Sequence, residues 1–409
     1  MSVRMVIAFA SQKVIAVLLG PEGIAVLGNI RNIIPMIESF STLGTFNGIV
    51  KYVAEYKDDK KELHQLFSTT TVYLICASSI TFLILFFGAE TLNEWLFLGK
   101  YQFEYVFKLL AISVPFLALN RVFNGVMNGL SAYQKFVKIN LFAYAVSAIL
   151  VVIATYYENI EGALFAIAIM PIIQFGILFS LYFSVLKNYI NFKGLQFTIP
   201  YKNKLVAFTL MSIVATLLGS FVDIKLRTHL MKSISIDDAG YWTGMTNISK
   251  QYLLFSSAIF TLYVIPKFAT ITNSKHFRKE VFNIYKVLLP LFLVGMLGIY
   301  FLREWVIIIL KSKEFLGMMP LFKWQLMGDF VKLMSIVIGH QFLAKKMVVP
   351  FILSEILSLF LFYVFANYFI TTMGAEGVVF AHFLRYVIYF FVVIFLLRKH
   401  IFGNRLITN

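Results

Sequence analysis

Apolar runs and short polar connections alternate along the whole chain. Runs near 3–19, 24–50, 66–88, 106–130, 139–156 and 163–186 are followed by six more, near 205–230, 240–266, 284–302, 319–343, 348–370 and 378–397. About 20 apolar residues coiled as a helix cross the ~30 Å hydrocarbon core of a bilayer. A segment in lipid must also satisfy its backbone polar groups internally, so such runs form helices. The pattern predicts an all-α polytopic membrane protein with twelve transmembrane helices.

The connections alternate in charge. One set holds Lys51, Lys57, Lys60 and Lys61, then Lys135 and Lys138, then Lys187, Lys193, Lys202 and Lys204. It continues through Lys267, Lys275, Arg278 and Lys279, then Lys345 and Lys346, to Arg398, Lys399 and Arg405 in the tail. The other set includes Pro21-Glu-Gly23, Tyr156-Tyr-Glu-Asn-Ile-Glu-Gly162 and Thr371-Thr-Met-Gly-Ala-Glu-Gly377, with no Lys or Arg. The positive-inside rule then places both termini in the cytoplasm. Arg4 ahead of an apolar run imitates a signal peptide, but Leu19-Gly-Pro-Glu-Gly23 offers no small-x-small cleavage site.

The chain also repeats. Glu161-Gly-Ala-Leu-Phe-Ala166 returns as Glu376-Gly-Val-Val-Phe-Ala381, and Phe107-Lys108 as Phe322-Lys323. Glu94-Trp95 is echoed by Glu304-Trp305, and Asn29-Ile30 by Asn247-Ile248. Four matches in one order indicate a duplicated six-helix unit, hence two pseudo-symmetric bundles. The halves are residues 1–190 and 205–409, joined by a basic cytoplasmic linker at 191–204. Transporters built from such repeats hold substrate between the halves.

Composition agrees: 60% of residues are hydrophobic and 14% charged, against about half and a quarter in soluble domains. The net charge of +16 would suggest nucleic acid in a soluble protein, but here much of it is topology and no nucleic-acid partner is expected. One cysteine, Cys76, excludes an internal disulfide and a cysteine metal cluster, and is expected as a buried small hydrophobe.

Charges inside the spans carry the candidate chemistry. An arginine or lysine at a span centre costs about 2.5–3.5 kcal/mol on insertion scales, so it should face protein or a wet cavity. Arg31 and Glu38 lie two turns apart on one face, and Pro35 between them invites a kink or local unwinding. The repeat pairs Asn29-Ile-Arg-Asn32 with Asn247-Ile-Ser-Lys250, so each half places a cation just after the same dipeptide. One expectation is a central cationic cavity with Arg31 and Lys250 facing each other, suited to phosphate recognition. The alternative is that Arg31 pairs structurally with Glu38 or a neighbouring acid. Lys13 adds a third cation, or snorkels from the end of a short span.

In the tenth span, Asp329 and Lys332 are three residues apart and able to neutralise each other, or Asp329 couples an ion through proton exchange. Glu355, Asp223 with Lys225 and Arg227, and His382 with Arg385 are further candidates, while His340 reads as a packed or solvated residue. Asn120, Asn124 and Asn128 form a polar stripe of the kind that bonds neighbouring helices. Gly44-Thr-Phe-Asn-Gly48 and Gly125-Val-Met-Asn-Gly129 read as close helix contacts. No P-loop, His-Glu-x-x-His or serine elbow is present, and no connection is long enough for a catalytic domain. No enzyme activity and no cofactor are expected, so an ion gradient or the substrate's own gradient must drive any transport.

Leu19-Gly-Pro-Glu-Gly-Ile-Ala-Val-Leu-Gly-Asn-Ile-Arg-Asn32, Phe46-Asn-Gly-Ile-Val-Lys-Tyr-Val-Ala-Glu-Tyr56 and Phe208-Thr-Leu-Met-Ser212 resemble the lipid III flippases. These belong to the O-antigen flippase family, Wzx-type polysaccharide transporters of the multidrug/oligosaccharidyl-lipid/polysaccharide exporter superfamily. Tyr263-Val-Ile-Pro-Lys-Phe268 and Phe322-Lys-Trp-Gln-Leu-Met-Gly-Asp329 carry the likeness into the second half. The resemblance implies two bundles around an alternating-access cavity, with Arg31, Arg303 and Asp329 as cavity or gating residues. It implies an oligosaccharide on undecaprenyl diphosphate as cargo, moved from the cytoplasmic to the periplasmic leaflet of the bacterial inner membrane. Partners would be that lipid-linked substrate, membrane lipids and other polysaccharide-assembly proteins. The family carries a longer first span, which puts a role for Lys13 in question.

The sequence thus points to a flippase with Arg31, Lys250, Arg303 and Lys13 as cavity cations. Asp329, Lys332, Glu38, Glu355 and Asp223 are its gating or coupling candidates, and Pro35, Pro115 and Pro266 its hinges. An ion-coupled multidrug antiporter of the same superfamily is the main alternative; an oligosaccharide polymerase or ligase and a scaffold are the others.

Overall fold

The computed structural model describes residues 2–130, 133–189, 196–345 and 347–403. Part of the sequence-predicted linker, 191–195 with Lys193, lies outside the described residues, as do Lys346 and Arg405. The described residues are helical, without strands. Eight helices among them are long and apolar enough to cross a bilayer.

Three of the eight are broken inside. Helix α1 (Ser2–Ser41) breaks at Gly20, with φ of 61°. Gly with left-handed backbone followed by Pro21 is the usual end of one helix and start of the next. Helices α2 (Phe46–Glu55), α3 (Lys60–Phe87) and α4 (Ala89–Phe97) follow, then α5 (Glu104–Gly129). Helix α6 (Tyr133–Tyr189) turns over at Glu158 and Asn159, asparagine being the non-glycine residue that best tolerates positive φ. Then come α7 (Lys202–Ile213), a π turn at Val214–Leu218 and α8 (Gly219–Ser233). Helix α9 (Ile236–Ile259) runs through a π turn at Phe260–Val264 into α10 (Ile265–Thr270). Last are α11 (Ser274–Phe301), α12 (Arg303–Leu310), α13 (Leu321–Ala344), α14 (Val348–Leu396) and α15 (Arg398–Phe402). Helix α14 breaks at Gly374, φ 58°. Counting each broken helix twice and adding α9 gives the twelve spans that the hydrophobic pattern predicts.

The chain divides into two compact units, one of residues 1–19 and 26–224, the other of residues 20–25 and 225–409. In the first, Tyr52, Val53, Leu66, Phe67, Val126 and Leu205 share a core. The small-residue pattern acts there as expected: a Cβ on Gly129 would stand 2.7 Å from the Val53 Cβ, and one on Gly125 3.1 Å from Ile49 Cγ2. Tyr201, buried beside this core, donates its hydroxyl to Glu62. Burial, then the carboxylate, holds its phenol well above the ordinary tyrosine range.

The repeat has a structural counterpart in each unit. Gly162 and Gly377 both follow a helix reversal, and a Cβ on either would strike a carbonyl oxygen eight residues upstream, Ala154 O at 2.1 Å and Phe369 O at 2.3 Å. Phe107 and Phe322 are both fully buried, each followed by an exposed lysine. Glu94-Trp95 and Glu304-Trp305 both sit on the short helices, α4 and α12, after a long span.

Two local expectations need correction. Helical backbone continues through Pro35, and the unwinding falls later, at Leu43 and Gly44, both with positive φ. Gly44 N donates to Ser39 O at 2.8 Å and closes the helix end. Cys76 is exposed on α3, not buried. Its neighbours Ile75, Ile80, Leu83 and Ile84 are exposed too, so this is an apolar surface for lipid, where a thiol is as comfortable as in a core.

Candidate functional site

In the first unit, α1, α5 and α6 enclose a cavity of about 330 Å³ lined by Arg31, Glu38, Asn120, Arg121, Asn124 and Gln174. Ile34, Leu117, Ile167, Met170 and Pro171 form its apolar walls. Arg31 and Glu38 arrive on one face of α1 because they are two turns apart. Asn120 and Asn124 arrive one turn apart on α5.

The sequence left open whether Glu38 neutralises Arg31. It is paired instead with Arg121, whose Nη1 lies 3.7 Å from Glu38 Oε2. The Arg121 guanidinium also lies 3.9 Å from the Phe46 ring centroid, a cation–π contact that holds it in place. Among the described residues, no carboxylate forms a salt bridge with Arg31. Two arginines and one glutamate leave the cavity with one formal positive charge in excess. Sequence reasoning missed Arg121 and Gln174. The signal for Arg121 was present, as an arginine inside the fourth span beside Asn120.

The asparagine stripe divides. Asn120 Nδ2 donates to Pro171 O at 2.9 Å, bonding α5 to α6 as expected. The Oδ1 atoms of Asn120 and Asn124 are buried without a hydrogen-bond partner. Asn128 is exposed. Gln174 Nε2 donates to Ser147 Oγ at 2.9 Å.

In the second unit the tenth-span candidate is the centre of a polar network. Asp329 is fully buried. Its Oδ2 accepts from Ser249 Oγ at 2.6 Å, Gln325 Nε2 at 3.0 Å and the Tyr252 hydroxyl. Its Oδ1 lies 3.0 Å from His382 Nε2. Lys332 does not pair with Asp329 among these bonds. It lies instead 5.5 Å from the Tyr386 ring centroid, and lines a separate cavity of about 320 Å³ with Ser256 and His340. Arg385 Nη2 donates to the Tyr386 hydroxyl at 2.6 Å. His340 is packed, 4.6 Å from the Phe260 ring, with Nδ1 2.6 Å from Ile336 O.

The other candidates are dispersed. Arg303 opens α12 and donates to Tyr300 O at 2.8 Å. Glu355 accepts from the Tyr389 hydroxyl at 3.0 Å. Lys13 and Asp223 are half-buried and Lys250 is exposed. Arg227 is buried and donates to Thr243 Oγ1 at 2.8 Å. No cluster of three or more His, Cys, Asp or Glu suited to a metal occurs among the described residues.

A family model described as "Polysaccharide biosynthesis protein" matches residues 14–320, three quarters of the chain and all of the first-unit cavity. The chain belongs to that family. Among its curated relatives is the lipid III flippase of Escherichia coli (strain K12), 28% identical over 388 residues, 92% of this chain and 91% of that protein. The lipid III flippase of Shigella flexneri matches to the same extent. The fold of this polysaccharide biosynthesis protein is shared with solved transporters. The lipid II flippase MurJ, in an inward closed conformation, superposes with a TM-score of 0.73 at 15% identity, covering 97% of this chain and 86% of that one. An inward-facing MATE family transporter of the MOP superfamily gives 0.68 at 15% identity, covering 98% and 96%.

Proposed function

We propose that this polysaccharide biosynthesis protein is a flippase. It moves an undecaprenyl-diphosphate-linked oligosaccharide, a lipid III or O-antigen type repeat unit, between leaflets by alternating access. The observation that carries the proposal is Arg31: a guanidinium in a cavity within the spans, while the adjacent acid is committed to another arginine. Such a group is the right receptor for a diphosphate, because charge-assisted bonds gain strength where water is scarce. The end-to-end match to lipid III flippases supports the cargo class.

The basic connections support cytoplasmic termini in the bacterial inner membrane and movement toward the periplasmic leaflet. The duplicated motifs support halves at 1–190 and 205–409 joined by 191–204. Lys250, Arg303 and Lys13 serve as further cations for the anionic cargo, and Asp329, Lys332, Glu355 and Asp223 bias the cycle. No covalent step is involved, and the partners are the lipid-linked substrate, the membrane and other assembly proteins.

The test is a leaflet-translocation assay in proteoliposomes. Arg31→Ala is expected to lower transport by about tenfold or more, the worth of one charge-assisted bond, with insertion and melting temperature unchanged. Wild-type transport by this variant overturns the assignment. The second reading is an ion-coupled multidrug antiporter, favoured by the likeness to MATE transporters. A cationic drug needs an accessible acid, whereas Glu38 faces Arg121 and Asp329 is enclosed by donors. Drug-resistance profiles of cells with and without the protein separate the two.

A further inference from the structure

We propose that the groove between α11 and α13 is a phospholipid site: it seats one acyl chain of an anionic phospholipid and holds the headgroup phosphate at Lys323. The proposal needs only that these helices span a bilayer, and it is independent of the flippase reading. Three observations carry it: what lines the groove, how long it is, and where its charge stands. The groove, about 330 Å³, has Leu293, Leu297 and Tyr300 of α11 and Leu326 and Met327 of α13 among its walls. Lys323 is the one charged residue among those described on its lining. Leu293, Leu297 and Met327 are exposed on helices long and apolar enough to cross a membrane. The groove therefore opens to hydrocarbon, and an acyl chain fills it. Its walls on α11 run from residue 293 to residue 300, about 10 Å along the helix, or a third of the ~30 Å hydrocarbon core. That length suits the glycerol-proximal part of one acyl chain within one leaflet and is short for a polyprenyl chain.

The charge selects the headgroup. Tyr300 and Lys323 stand at the same end of the groove, where α11 finishes and α13 begins. That end is the edge of the hydrocarbon, the level at which a lipid phosphate lies. Lys323 is exposed, 4.6 Å from the Trp324 ring centroid, and among the described residues no carboxylate forms a salt bridge with it. Glu376 accepts from Trp324 Nε1 at 3.0 Å instead, and the first turn of α13 holds no acid to offset the lysine. A surface lysine in this position draws an anionic headgroup. The first unit supplies the contrast. Phe107-Lys108 and Phe322-Lys323 equate α5 with α13, and a groove of about 360 Å³ lies between α3 and α5. Leu74, Ser78, Phe82 and Pro115 are among its walls, and none of the described residues on its lining is charged. It admits acyl chains without choosing between headgroups.

The experiment uses the full chain in phosphatidylcholine nanodiscs. A trace of phosphatidylglycerol or of phosphatidylcholine, each with a diazirine in one acyl chain, is photoactivated, and the labelled residues are mapped by mass spectrometry. On the α11–α13 groove the phosphatidylglycerol probe is expected to label about fivefold more than the phosphatidylcholine probe, the effect of one lysine at the membrane surface. On the α3–α5 groove the two probes are expected to label equally. Lys323→Gln is expected to erase the preference, and Lys323→Arg to keep it. Leu297→Trp, which fills the groove, is expected to remove labelling of its α13 wall by either probe. Both positions are exposed, so these variants leave the core untouched. Equal labelling of the α11–α13 groove by the two probes, an undiminished preference in Lys323→Gln, or the same preference on the α3–α5 groove overturns the proposal. So does loss of the label when an equal amount of undecaprenyl phosphate is added, which would make the groove a seat for polyprenyl chains.

Discussion

Glu38 pairs with Arg121 of α5 across 3.7 Å, not with Arg31 two turns earlier on its own helix. The pair sits on the cavity wall, with side-chain exposures of 32% for Glu38 and 42% for Arg121. Its consequence is electrostatic: it cancels one of the two arginine charges on the cavity wall. Glu38→Gln is expected to shift the melting temperature little and to tighten binding of a sugar-free polyprenyl diphosphate. A large loss of stability with unchanged binding would make the pair a structural clasp only.

Asp329 is a different kind of acid. It is fully buried and gathers Ser249, Tyr252, Gln325 and His382 around its two oxygens. Asp329→Asn removes the charge to which Ser249, Tyr252 and Gln325 donate, and is expected to cost about 1–3 kcal/mol. Lys332 pairs with no acid in this network, so Lys332→Met should cost less than about 1 kcal/mol. Thermal unfolding of both variants in detergent decides it. Equal losses would mean that Lys332 supports the carboxylate after all.

These two acids show how far the residues alone reach. The spans were legible because lipid imposes one strong constraint, an unbroken apolar helix of fixed length, and because Gly20-Pro21 and Gly374 mark their reversals. The repeat was legible because Gly162 and Gly377 each meet a carbonyl that tolerates no side chain. Partner choice was not legible. Whether Glu38 meets Arg31 or Arg121 depends on the rotation of α5 against α1, which no spacing within either helix encodes. The Asp329 network joins Ser249 and Tyr252 of α9 and Gln325 of α13 to His382 of α14, a meeting that no spacing within one helix encodes. Cys76 was misplaced because an apolar run looks the same whether it faces protein or lipid.

The two equivalent glycines allow a matched test. An alanine methyl at Gly162 or Gly377 would lie 2.1 or 2.3 Å from a backbone oxygen, and overpacking of this kind costs about 1–3 kcal/mol or more. Both substitutions should lower the melting temperature to a similar degree. Gly295, in mid-helix with nothing within 4 Å of where a Cβ would stand, is the control: alanine there should stabilise by about 0.5–1 kcal/mol. A harmless Gly377→Ala would show that the second reversal is looser than the first.

His400 gives the pH dependence a definite sign. It is buried on α15, and Gln341 Nε2 lies 3.2 Å from its Nδ1. Burial, and then the nearby Lys345 charge, hold its pKa below the ordinary histidine value of about 6.5. Above that value the ring is neutral in both folded and unfolded chains and adds no pH dependence. As the pH falls from about 6.5 through the lowered folded value, the unfolded chain takes up a proton that the folded chain resists, so stability declines. His400→Gln keeps a polar side chain and removes the titration. The wild type is expected to lose melting temperature between about pH 8 and about pH 5, and the variant to lose measurably less. Identical profiles would mean that the folded protein protonates His400 as readily as the unfolded chain does.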